Sequence, residues 1–170
     1  MHRLRGCIGV WGLFVIAGCS PANATQLLVV VDADIPALEG ARVEVWEEGR
    51  PERRQEETYL IGETRNGQEL LIPFSLGVRA PNDDASRSVV IRVEALGANV
   101  VRVARVGFVK GETLLLRMFL ADACVDIPCD EAAETCESGS CIDNTVRAVD
   151  LPRSPPGREL DRPDADSRPD

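Results

Sequence analysis

Four cysteines close together are the part of this chain best suited to covalent chemistry. Cys124, Cys129, Cys136 and Cys141 are spaced C-x4-C-x6-C-x4-C. Thiols so clustered either oxidise in pairs or share a metal ion. The six-residue inner spacer falls short of the roughly 15–20 residues of a zinc ribbon, and no C-x-x-C redox pair is present. The residues between the cysteines are mostly Asp, Glu, Pro, Ser and Gly, too few of them apolar to fold without staples. Residues 123–142 therefore read as a module with two disulfides. Four cysteines allow three pairings. Crossed pairing, Cys124 with Cys136 and Cys129 with Cys141, closes longer loops and restricts the unfolded chain more, but the sequence does not choose.

Other chemistry is thinly supported. The single histidine is His2, at the extreme start. The rest of the chain has no imidazole for a Ser-His-Asp or Cys-His set or for a His-ligated metal. Asp32 and Asp34 stand two apart at the end of a strand, and Asp83 and Asp84 share a loop. Calcium wants six to eight oxygens, and neither pair supplies enough. Paired acids for glycoside hydrolysis need a cleft and a raised pKa, which nothing in the sequence marks. Turn acids bathed in solvent are the simpler reading. Trp46 falls on the outward phase of its strand, where it either covers a second apolar layer or stacks on a sugar. Net charge is −9 with a pI near 4.7, so no surplus of cations exists to displace phosphate counterions, and nucleic acid is not an expected partner.

The first twenty residues carry an address. Two arginines without an acid precede the apolar run Gly6–Ala17, the pattern of a secretory signal over residues 1–18. That run is short of the roughly 20 apolar residues of a bilayer span. Ile16-Ala17-Gly18-Cys19 resembles the bacterial lipobox. The resemblance implies that Cys19 is acylated and becomes the first residue of the mature chain. It also implies that Ser20, which is not an aspartate, permits sorting to the outer membrane. Two or more acyl chains hold firmly where one is marginal, at about 0.8 kcal/mol per buried methylene. Ala22-Asn23-Ala24 offers a rival, ordinary cleavage site, which would discard Cys19 and release a soluble protein beginning at Thr25. If Cys19 is the anchor, the tether over residues 19–26 is short, and Ser20–Gln26 extends at most ~25 Å at about 3.5 Å per residue.

The elements that position all this are strands. The chain is 44% apolar but only 4% aromatic, so the core must be aliphatic, and 19 Val and 8 Ile against 16 Leu favour sheet. Leu27–Val31 is apolar on both faces, as a central strand is. Residues 41–46 and 88–96 alternate, with Ala41, Val43, Val45, Val89, Ile91, Val93 and Ala95 inward. Residues 58–61, 69–74, 99–109 and 112–120 are further candidates. Gly97-Ala98 and Lys110-Gly111 read as hairpin turns joining the last three strands. The phase slips within 100–109, where Arg105 falls on an inward position. A β-bulge near Ala104-Arg105 restores the pattern, and a buried, paired Arg105 is the costlier rival. Six or seven strands in residues 27–122 predict a single antiparallel β-sandwich of immunoglobulin or transthyretin size. Residues 143–170, rich in proline and alternating charge from Leu151 on, read as a disordered tail.

The segment TCESGSC resembles the closing turns of epidermal-growth-factor-like and Dickkopf-type modules, without their six- to ten-cysteine patterns, so no receptor binding is implied. Lipobox, short tether, a sandwich opening TQLLVVVDADIP and a C-terminal cysteine cluster together resemble envelope lipoproteins common in myxobacteria-type genomes. That resemblance implies a location and an architecture. The expectation is a non-enzymatic, membrane-anchored envelope lipoprotein with a structural or protein-interaction role, without a cofactor or metal. The alternative is a small-ligand, calcium or carbohydrate-binding module, secreted or anchored.

Overall fold

The structure, a computed structural model, describes residues 24–65 and 67–153. The signal region, Cys19 and the stretch 154–170 lie outside the described residues. Among the described residues twelve strands follow in order: β1 (Gln26–Ala33), β2 (Gly40–Glu47), β3 (Gln55–Leu60), β4 (Thr64–Arg65), β5 (Gln68–Glu69), β6 (Phe74–Arg79), β7 (Val89–Leu96), β8 (Val101–Val106), β9 (Thr113–Leu120), β10 (Glu134–Glu137), β11 (Ser140–Asp143) and β12 (Thr145–Val146). The fold is mainly β. Two sheets make a sandwich, one in the order β6-β1-β9 and the other β12-β8-β7-β2-β3, with β4-β5 and β10-β11 as separate hairpins. Most pairings are antiparallel, but β1 runs parallel to β9 and β12 parallel to β8.

Alternation builds the core. Leu27, Val29 and Val31 of β1 are fully buried, and Leu114, Leu116, Met118 and Leu120 of β9 face the same way. Ala41 and Val43 of β2 and Val89, Ile91, Val93 and Ala95 of β7 meet them from the other sheet. Burying each such Val, Leu or Ile contributes about 1.5–3 kcal/mol, and Phe74 and Phe108 add aromatic bulk to the same core.

Several expectations need correction. The register of β8 against β7 runs unbroken from Val89–Val106 to Glu94–Val101, so there is no bulge at Ala104-Arg105. Val100, Ala104, Val106 and Phe108 hold one inward phase, joined to the core. Val101 and Val103 turn outward instead. They keep an apolar character because the cysteine module lies over them: Val103 is buried, and its N–H donates to Thr135 Oγ1 at 2.9 Å. Arg105 is neither buried in the core nor displaced by a bulge. It stands half-buried on the outer face, paired with Glu48 at 3.0 Å and donating to the Ala132 carbonyl at 2.7 Å.

Lys110-Gly111 is not a hairpin turn, because it carries the chain from β8 in one sheet to β9 in the other. The candidate strand 69–74 is mostly loop, and the strand begins only at Phe74, after Pro73. Residues 143–153, expected in a disordered tail, are packed. Thr145–Val146 extend the larger sheet beside β8, a 3-10 turn spans Ala148–Asp150, and Arg153 bridges Leu114. Val146, Ala148 and Leu151 lend the apolar area that holds this segment.

Candidate functional site

A sandwich of open sheets has two lateral seams, and they differ here. The seam between β8 and β9 is closed by the chain's own continuation. β12 covers the edge of β8, the N–H of Leu115 donates to the Pro152 carbonyl at 2.8 Å, and Arg153 pairs with Glu112 at 2.6 Å. The seam between β3 and β6 is open. It forms a groove of about 900 Å³ along both edge strands.

The groove is built by two alternating sequences. Val43, Val45 and Val89 from the larger sheet and Leu76 and Val78 from β6 line it with aliphatic surface. Phe74, Leu76 and Val78 share the face of Val31, Val29 and Leu27, so β6 turns its apolar side to the core and along the groove. Tyr59 stacks on Phe74 with ring centroids 4.6 Å apart and walls one end. The other end opens among Arg53, Arg79, Pro81 and Asn82.

The backbone adds polarity. The N–H of Ala80 donates to the Thr25 carbonyl, so Val78, Leu76 and Phe74 continue that bonded set with β1. The alternate residues Ser75, Gly77 and Arg79 then point their N–H and C=O groups away from β1, toward the open edge. Gly77 has no side chain to screen them, and a Cβ built there meets nothing within 4 Å.

Charge along the groove is uneven. Glu47 is held by Arg50 at 3.3 Å and by Arg87. Glu56 pairs with Arg42 at 3.4 Å. Among the described residues, Arg53 and Arg79 have neither ion pair nor hydrogen-bond partner for their side chains. Glu57, opposite Val43 in the register of β2 and β3, also lines the groove and accepts from the Tyr59 hydroxyl at 2.8 Å. Two guanidinium groups therefore stand without an ion pair beside a trough whose floor is aliphatic and whose β3 rim is polar. The adjoining turn is well tied: Asp84 accepts from the hydroxyl of Ser86 at 2.7 Å, from its N–H at 3.0 Å and from Arg87 at 3.2 Å. These bonds hold the Asp84 carboxyl below its ordinary pKa, led by the Ser86 hydroxyl. Arg87 is held above its ordinary value, first by its bond to Glu47 and then by Asp84.

The outer face of the larger sheet is an ion-pair ladder. Glu44, only 6% exposed, accepts from Arg54 at 2.9 Å and Arg92 at 3.0 Å. Arg92 also reaches Glu94 at 2.8 Å and Glu131 at 2.7 Å, so one guanidinium ties two strands to the cysteine module. Burial opposes its charge, but the bonds to Glu131 and Glu94 prevail and raise its pKa above the ordinary value.

The residues singled out from the sequence divide as follows. Cys124 is bonded to Cys136 and Cys129 to Cys141, the crossed arrangement. Asp32 accepts from the N–H of Ala33 at 2.9 Å, a local contact, and Asp34 from that of Asp122 at 2.6 Å, a long-range tie to the turn after β9. Asp83 lies in the 3-10 turn Pro81–Asp83. Among the described residues no three acids, cysteines or histidines are placed to hold a metal ion. Trp46 borders the groove, but Arg54 lies over its ring at 4.4 Å. A second cavity, about 310 Å³, is lined by Val101 and Val103 on one side and by residues of the module on the other. Its acids are engaged: Asp126 with Asn99 at 2.8 Å, Glu131 with Arg92, and Glu134 with the N–H of Asp130 at 3.4 Å.

The groove itself was missed in the sequence. The signal lay in FSLGVR, where Phe74, Leu76 and Val78 alternate with Ser75, Gly77 and Arg79. The preceding apolar run Leu70–Phe74 masked it. Comparisons with family models, with curated proteins and with solved structures find no match.

Proposed function

We propose that this chain is a non-enzymatic lipoprotein of the cell envelope, anchored through Cys19 and sorted to the outer membrane, that uses the open seam of its sandwich for protein contact. The observation that carries the protein-contact reading is the contrast of seams: one is sealed by the chain itself, while the other offers about 900 Å³ of groove with an aliphatic floor and two arginines without an ion pair among the described residues. Apolar surface ringed by polar groups is the anatomy of a binding surface. The anchor rests on the sequence pattern ending at Cys19. No helix among the described residues is long and apolar enough to cross a membrane.

The alternative, a carbohydrate or calcium module, has less to support it, since Arg54 covers Trp46 and Asp84 is engaged by Ser86 and Arg87.

Two measurements test this reading. Intact-mass spectrometry of the membrane-extracted chain is expected to start at Cys19 with acyl mass added; a chain starting at Thr25 without fatty acid overturns the anchor. A photo-crosslinking residue at Gln55, on the groove rim, is expected to give a protein adduct in intact cells. One at Asp150, on the sealed side, should give none, and Arg79→Glu should abolish the Gln55 adduct. Equal adducts at both positions, or none, overturn the role of the groove.

A further inference from the structure

We infer that the occupant of the groove is an extended segment of a partner polypeptide, added as a strand along the edge of β6, with alternate apolar side chains turned into the trough and an acidic residue at the end beside Arg53 and Arg79. The inference rests on the protein-contact reading above and specifies its chemistry.

Three observations converge on a strand. First, β6 presents outward-pointing backbone N–H and C=O groups at Ser75, Gly77 and Arg79, and an edge strand recognises another extended chain through such groups. Secondly, the floor is aliphatic and continuous with the core, through Val43, Val45, Leu76, Val78 and Val89. A strand laid there turns every second side chain into this surface and the others to solvent, as period-two geometry requires. Thirdly, the molecule already closes its opposite seam in this way. There Thr145–Val146 pair with Arg105–Val106 of β8, Arg153 bridges Leu114 of β9, and Val146 and Leu151 insert against the core.

Charge sets the polarity of the occupant. Among the described residues the arginines beside the open end make no ion pair, whereas the groove's own acids are engaged, Glu47 and Glu56 by arginines and Glu57 by the Tyr59 hydroxyl at 2.8 Å. A carboxylate on the incoming strand supplies the missing partner, and Arg binds carboxylates through a planar, bidentate fork. A basic end would meet two like charges instead. The stacked Tyr59 and Phe74 wall the other end.

The test uses the full chain and three synthetic peptides: Asp-Val-Thr-Val-Thr-Val-Thr-Val-Ser, a twin with Lys for Asp, and a twin with Pro at the centre. The acidic peptide is expected to bind saturably by fluorescence anisotropy. It should slow amide exchange at Ser75, Gly77 and Arg79 about tenfold or more, as new backbone pairing does. The Pro twin should do neither. Arg53→Glu combined with Arg79→Glu should weaken the acidic peptide and strengthen the Lys twin, each about tenfold, the scale of one charge-assisted contact. Unchanged exchange at those amides with every peptide overturns strand addition, as does equal binding of the Pro twin. Two further results overturn the assignment of the occupant. One is protection of the same amides without peptide that rises with protein concentration, which names a second copy. The other is protection that vanishes when the chain is ended at Arg153, which names residues 154–170. Crosslinks from Gln55 that persist while the amides exchange freely defeat this inference alone and leave the protein-contact reading standing.

Discussion

The two seams of the sandwich are built from the same materials and finished differently. Both join an edge of the larger sheet to an edge of the smaller one over an aliphatic core. On the β8–β9 side the chain spends its last described residues sealing the gap. The cysteine module lies over Val101 and Val103, Thr135 satisfies the N–H of Val103, and the segment through Arg153 covers the edge of β9. On the β3–β6 side nothing among the described residues covers the edge of β6. Sealing an edge requires covalent staples and buried hydrogen bonds that must all be satisfied. Among those residues the open side carries two arginines without an ion pair and has little local commitment. Mutational sensitivity should therefore concentrate on one side of the molecule.

The largest effect is expected from the staples. Replacing Cys124 and Cys136 together by serine should cost about 3 kcal/mol, read by chemical denaturation, because the bond closes a loop of sequence separation 12 in a segment with little core of its own. A loss near zero would mean that the module adheres to β8 without its disulfide. Next comes Arg92→Met, which leaves the buried Glu44 with Arg54 as its one cation and frees Glu131; the loss should be about 2 kcal/mol in the same measurement, since one arm of a buried ion-pair network is removed while the other still compensates the charge. Thr135→Val removes the acceptor of a buried N–H and should cost about 1–2 kcal/mol, with faster exchange at the Val103 amide. On the open side, Arg79→Ser should change stability by no more than about 0.5 kcal/mol, as surface substitutions do. A cost comparable to that of Thr135→Val would erase the contrast between the seams.

The smallest effect concerns pH. The Asp84 carboxyl is held below the ordinary aspartate value by its bonds from Ser86 and then from Arg87. A carboxyl with a depressed folded-state pKa stabilises the fold above its unfolded pKa, and that contribution fades as pH falls through the lower, folded value. The turn at residues 84–87 should therefore loosen in acid, below the ordinary aspartate range and before the core does. Amide exchange at Ser86 would report it, and Asp84→Asn should remove most of the pH dependence.

Much of the larger sheet was legible because its strands alternate cleanly. Val89, Ile91, Val93 and Ala95 announce one face wherever the strand is placed. β8 misled for a physical reason. Its outward residues are apolar because a second layer, about thirty positions later in the chain, lies on them, and a period-two reading assigns every valine to the core. Arg105 looked misplaced only under that assumption. The parallel pairing of β1 with β9 was invisible, since it joins residues almost ninety positions apart and depends on the crossing at Lys110-Gly111. The groove was hidden because a seam is a property of two edges, and no window of sequence contains both β3 and β6 in contact.

The sequence by itself determined the aliphatic alternation and hence sheet, the four clustered thiols and hence staples, and the turn chemistry around Asp83 and Asp84. These follow from side-chain shape and local backbone preference, which act over a few residues. Only the tertiary structure decided which thiols meet, that residues 143–153 pack when they were expected to trail, and that one seam is sealed while the other stands open. Those outcomes depend on which distant edges come within hydrogen-bonding reach. That is settled by how two sheets share one core, and no short stretch of chain encodes it.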